Sequence, residues 1–189
     1  MTDGMTRIAR FLIIILLIGG ITLAGDGKDK KPKTDPKPAI DTTTITWYQY
    51  DTGLKLAKQS GKHILVDFTA KWCTYCKKMD RETFANPEVI NFINSHFVPI
   101  KVDGDSPNEL DIEGYKITES NLAKSEYRVT GYPTFWFLKS TSERIGPAPG
   151  YRPSDQFLDL LYFVKDDLYE KMSFQDYMSK GGRNSKSQN

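Results

Sequence analysis

Cys73 and Cys76, the chain's only cysteines, come shortly after the apolar run Ile64-Leu65-Val66-Asp67-Phe68 and just before the helix-prone Lys77-Lys78-Met79. A strand must therefore hand over to a helix within a few residues, with a Cys-x-x-Cys pair at the junction. That spacing brings both sulfurs to the first helical turn, where a disulfide can close and open without unfolding the chain. The unpaired N–H groups of that turn and the helix dipole favour a thiolate on the first sulfur. Cys73 is thus expected to be the solvent-reachable nucleophile, and Cys76 the shielded thiol that resolves its mixed disulfides. A bridge enclosing so short a loop restricts the unfolded chain little, so stapling is a weak reason for it. Metal binding is weaker still, because a closed zinc site needs four ligands and neither His63 nor His96 is usefully spaced from the pair. No metal and no cofactor beyond the redox-active Cys73–Cys76 disulfide is expected.

The 189 residues leave room for one ordinary domain plus tails. A net charge of +2, from 26 basic and 24 acidic residues, argues against a nucleic-acid partner. Residues 1–25 read as a signal peptide or an N-terminal membrane anchor, with Arg7 and Arg10 ahead of the apolar stretch that begins at Phe11. As a helix, that stretch spans roughly 22 Å against a hydrocarbon core of about 30 Å, unless Ile8 and Ala9 lengthen it and Arg10 snorkels. Either reading places the rest of the chain in the periplasm or another extracytoplasmic space, soluble after cleavage or tethered. There a cysteine pair meets oxidising conditions.

Residues 26–41 are rich in Lys, Asp and Pro and read as an extended charged linker. The folded domain is expected over 42–179, followed by a disordered polar tail at 180–189. Within the domain, Thr43 to Tyr48 is β-prone, and a short helix precedes Gly61. A buried strand covers Ile64 to Thr69, and the helix opened at Cys73 runs to about Thr83. Asn86-Pro87 starts another helix, with Asn as cap and Pro at the first position. Phe97 to Val102 is a strand, Asp103 to Gly114 an acidic loop, and Thr118 to Arg128 a helix. An aromatic strand runs from Gly131 to Leu138, entered through Pro133, and a short edge strand ends near Gly150. Pro153 opens a long helix in which Phe157, Leu158, Leu161, Val164 and Leu168 repeat at helical spacing as core residues.

This order of elements resembles the thioredoxin fold. The active-site strand and helix of that family are matched by Ile64-Leu65-Val66-Asp67-Phe68 and Trp72-Cys73-Thr74-Tyr75-Cys76, and its cis-proline loop by Gly131-Tyr132-Pro133-Thr134-Phe135. The resemblance implies an α/β fold with a central mixed sheet flanked by helices and an N-terminal strand-helix extension. It is nearest to exported thiol:disulfide interchange proteins, among them the C-terminal domain of the membrane-bound type and SoxW-like thioredoxins. It also implies roles. Cys73 attacks and Cys76 resolves, while Asp67, a buried carboxylate below them, exchanges the Cys76 proton, which burial suits by raising its pKa. Lys101 would stand near that carboxylate. Pro133 would be cis, the backbone of Tyr132 would pair with an incoming peptide, and Trp72 would shield the sulfurs. The bulky Tyr132 would narrow the choice of substrates.

Two functions fit. One is an exported oxidoreductase that exchanges its disulfide with protein thiols, as a reductant fed by a membrane electron donor, since a proton relay suits delivery of reducing equivalents. The other is a peptide-binding, chaperone-type module that uses the Tyr132-Pro133 groove, with a regulatory disulfide. Thr74-Tyr75 between the cysteines leaves the direction of electron flow open.

Overall fold

Strand β1 (His63–Thr69) is buried from Ile64 to Phe68, as its β-branched and aromatic residues favour, and occupies an inner position of the sheet. It runs parallel to β2 (Phe97–Asp103) and antiparallel to β5 (Thr134–Leu138), which in turn pairs antiparallel with β6 (Arg144–Pro149). The resulting order, β2-β1-β5-β6, is a mixed four-stranded sheet. The computed structural model describes residues 43–184. The signal or anchor segment at 1–25, the linker at 26–41 and Thr42 lie outside the described residues. Among those described, no helix is long and apolar enough to cross a membrane.

Helices cover both faces of the sheet. On one face α3 (Pro87–His96) and α5 (Ser154–Lys165) bury Ile93 and Phe157 against Leu65, Phe135 and Phe137. On the other, α1 (Tyr50–Ser60) packs with Ile64, Val66 and Phe68 around Tyr127. Asn86 caps α3 by accepting from the N–H groups of Glu88 and Val89, with Pro87 at the first turn. Gly61 ends α1 in the left-handed region at φ 70°, which only glycine adopts without cost.

Several elements differ from the sequence expectation. Thr43 to Tyr48 makes only one β-bridge, Tyr48 to Ile100, because the Asn94 side chain takes the backbone groups of Thr44 and Thr46. The helix after Cys73 is α2 (Thr74–Lys78) continued by a π-helical turn, Met79–Thr83. The acidic loop contains β3 (Glu109–Ile112), which forms a hairpin with β4 (Tyr115–Thr118) just beyond it, and the turn residues Glu113 and Gly114 both have positive φ. The next helix is split into α4 (Glu119–Asn121) and a π-helical turn, Leu122–Glu126. Helix α5 stops at Lys165, so Leu168 packs on the core from a separate 3-10 turn, Leu168–Glu170. Of the polar tail expected from Lys180, residues 180–184 are described. After α6 (Phe174–Ser179), Arg183 pairs with Asp155 at 2.9 Å and Asp159 at 3.1 Å.

Candidate functional site

The strand-to-helix junction places Cys73 at the N-cap of α2, where its sulfur accepts from the Cys76 N–H at 3.0 Å. The two cysteines form a disulfide with Cα atoms 5.3 Å apart. In this state they are equally enclosed, at 3% and 4% exposure, so the expected contrast between an open Cys73 and a hidden Cys76 is absent. The ring packed against them is Tyr132. Trp72, expected to shield the sulfurs, is 68% exposed and turns its indole N–H to the Asp105 carboxylate. Its ring meets Tyr132 edge-on, with centroids 5.9 Å apart.

Asp67 lies on the Leu65 face of β1, opposite Lys101 of β2 and Phe135 of β5, and is buried. The Lys101 ammonium is 3.6 Å from its Oδ2, an ion pair beyond hydrogen-bond reach, while Oδ1 has no partner. Lys101 instead donates to Asp80 at 2.7 Å and lies over the Trp47 ring at 4.7 Å. Burial drives the Asp67 carboxyl up to about 7; Lys101 pulls against this and the Asp80 charge adds to it. A carboxyl poised there can take or give a proton at neutral pH.

The Tyr132–Pro133 peptide bond is cis, and the Pro133 carbonyl accepts from the Gly150 N–H at 2.9 Å. Thus Trp72, Cys73, Cys76, Tyr132 and Pro133 gather at one end of the sheet, with Asp67 and Lys101 paired across adjacent strands. Asp80 and Asp105 were missed. Asp80 follows Cys76 by one helical turn, a spacing that could have flagged it, whereas nothing in the sequence ties Asp105 to Trp72. Among the described residues no group of His, Cys, Asp or Glu is arranged to hold a metal ion.

The thioredoxin-like domain pattern matches residues 50–165. The chain belongs to the thioredoxin-like family. It is 29% identical over 115 residues to the disulfide bond reductase DsbH of Chlamydia pneumoniae, covering 59% of this chain and 68% of that one. It is 31% identical over 115 residues to the thiol:disulfide interchange protein DsbD of Vibrio cholerae, covering 60% of this chain but only 18% of that longer protein. A thioredoxin from Thermus thermophilus superposes with a TM-score of 0.53 at 35% identity, covering 64% of this chain and 87% of the other. A thioredoxin-fold protein from Helicobacter pylori gives 0.56 at 27% identity, covering 64% and 80%. With a Cys-x-x-Cys disulfide set in this thioredoxin-like frame, the site is that of a protein-disulfide oxidoreductase.

Proposed function

We propose that this protein is an exported thiol:disulfide oxidoreductase that reduces protein disulfides, recharged by a membrane electron donor. The observation that carries the reading is Asp67, a buried carboxyl held near pH 7 with one oxygen unpartnered. In the reduced enzyme the Cys73 thiolate attacks a substrate disulfide, forming a mixed disulfide and releasing one substrate thiolate. Asp67 accepts the Cys76 proton, and the Cys76 thiolate attacks the Cys73 sulfur. The second substrate thiolate leaves, the Cys73–Cys76 bond forms, and the substrate has gained two electrons. Two electrons and two protons from the donor restore the dithiol. The relative named as a disulfide bond reductase supports the reducing direction, and those named as thiol:disulfide interchange proteins support the exchange chemistry. Residues 1–25 supply the export signal or the anchor, and the backbone at Tyr132-Pro133 receives the substrate strand.

The test is insulin reduction driven by a small dithiol, together with trapping in the native compartment. The wild type turns insulin over, and Cys76→Ser accumulates mixed disulfides through Cys73. No turnover, with peptide binding retained in Cys73→Ser, would instead favour the peptide-binding module. Equilibration with glutathione fixes the direction, since about 30 mV corresponds to tenfold in the equilibrium constant.

A further inference from the structure

Gly104 follows the last residue of β2, and its N–H donates to the Thr69 carbonyl at the end of β1 at 2.8 Å. This fixes its position relative to the strand that delivers the cysteines. A Cβ at Gly104 would lie 2.0 Å from the Tyr132 hydroxyl oxygen, 2.5 Å from Cζ and 2.6 Å from Cε1. No side chain fits there beside the tyrosine. The next residue, Asp105, accepts from the Trp72 indole and from the Lys124 ammonium, the latter at 2.9 Å. One short loop therefore seats both rings of the wall beside the disulfide. It receives Tyr132 in the space that the missing side chain leaves and holds Trp72 by its nitrogen. Tyr132 is the ring packed on Cys73 and Cys76, and the two cysteines are only 3% and 4% exposed.

We propose that Gly104 is a positioning residue for substrate selection. By lodging the end of Tyr132 it keeps that ring against the disulfide, so the site accepts cysteines flanked by small residues and discriminates against those flanked by large ones. The inference rests on the oxidoreductase reading and deepens it. In the step concerned, a peptide thiolate bonds to the Cys73 sulfur, and the Cys73–Cys76 bond breaks. Its electron pair leaves on the Cys76 sulfur, which takes up a proton. A second peptide thiol then releases the first as a peptide disulfide and leaves Cys73 reduced. Side chains flanking the attacking cysteine must pass the Tyr132 ring to reach the Cys73 sulfur. A ring free to swing away would admit larger ones.

The full chain in its disulfide form is reduced by two monothiol peptides, Gly-Cys-Gly and Trp-Cys-Trp, and the ratio of their second-order rates is measured. A change in reduction potential alters both rates together and leaves the ratio alone. Gly104→Ala raises the Trp-to-Gly ratio about tenfold, the scale at which steric exclusion in a pocket discriminates. Tyr132→Ala raises it at least as much, and adding Gly104→Ala to Tyr132→Ala changes nothing more, because the ring that the methyl group displaces is gone. If Gly104→Ala does not fold, the double variant must fold and match Tyr132→Ala. A double variant that fails to fold, or that differs from Tyr132→Ala, overturns the role of Gly104. A ratio equal in all variants overturns the gate while leaving the oxidoreductase reading in place. Failure of both peptides to reduce any variant, Tyr132→Ala included, overturns the oxidoreductase reading itself.

Discussion

The two ends of β1 treat ionisable side chains in opposite ways. At its start, half-buried His63 places Nε2 3.1 Å from an Asp167 oxygen that also accepts from the Tyr169 hydroxyl at 2.9 Å. Near its other end, Asp67 is almost wholly buried, its cation stands 3.6 Å away, and one of its oxygens has no partner. The first arrangement gives a ring nitrogen, a carboxylate and a hydroxyl to one another within a single cluster. The second leaves a carboxylate poorly compensated, which is what places its proton affinity in a useful range. A fold that can satisfy a polar group at one end of a strand but leaves it wanting at the other has kept stability in reserve for a proton.

This contrast can be broken by substitution, and the largest effect expected is on stability. The Asp67 carboxyl titrates near 3.8 when unfolded and about 7 when folded, so between those values the folded chain binds the proton more tightly. Stability from this group is therefore fully present below about pH 4 and is lost as pH rises through 7. Asp67→Asn does not titrate, so its gain over wild type should grow across that window to at most about 4 kcal/mol above pH 7. Denaturant unfolding of the disulfide form at pH 4 and pH 8 reads this directly; a gain independent of pH would refute it. The second effect is kinetic. Asp67→Asn should slow resolution of a Cys73 mixed disulfide about a hundredfold at pH 7 while leaving the first attack near the wild-type rate. Equal slowing of both steps, measured by rapid quench, would remove the proton-relay role.

A smaller effect is expected at Asp80, whose charge raises the Asp67 proton affinity and whose carboxylate holds Lys101. Asp80→Asn should move the midpoint of the resolution pH profile towards acid by about one unit or less. An unmoved midpoint would mean that the two carboxylates are uncoupled. The smallest is at the other end of the strand: His63→Ala should cost about 1 kcal/mol or less and leave every exchange rate unchanged. A change in redox kinetics there would dissolve the distinction between the two ends.

Much of this arrangement was legible from residue order. The run Ile64 to Phe68 could only be a buried strand, and Asn86-Pro87 named the start of α3, because each rests on local chemistry that packing then reinforces. The hairpin of β3 and β4 was overlooked although Leu110 and Ile117, its buried residues, alternate with polar neighbours. Acidic composition hid the alternation. The N-terminal strand failed for a different reason, since the β-prone Thr43 to Tyr48 found an Asn94 side chain where a ladder was expected. At the site, spacing at a strand-to-helix junction singled out Cys73 and Cys76, and the thioredoxin resemblance added Asp67. The pairing of Gly104 with Tyr132 was not legible, because a missing side chain leaves no mark in a sequence until its neighbour's position is known.

Strand β6 ends the sheet, and Pro147 and Pro149 lie opposite Trp136 and Thr134 of β5. A proline can occupy an antiparallel pair only where its nitrogen faces away from the partner, so both point to the open margin. Along that rim, two of the amides that a stray extended polypeptide would grip are missing. That margin of the sheet is thereby less prone to annealing to a passing extended chain.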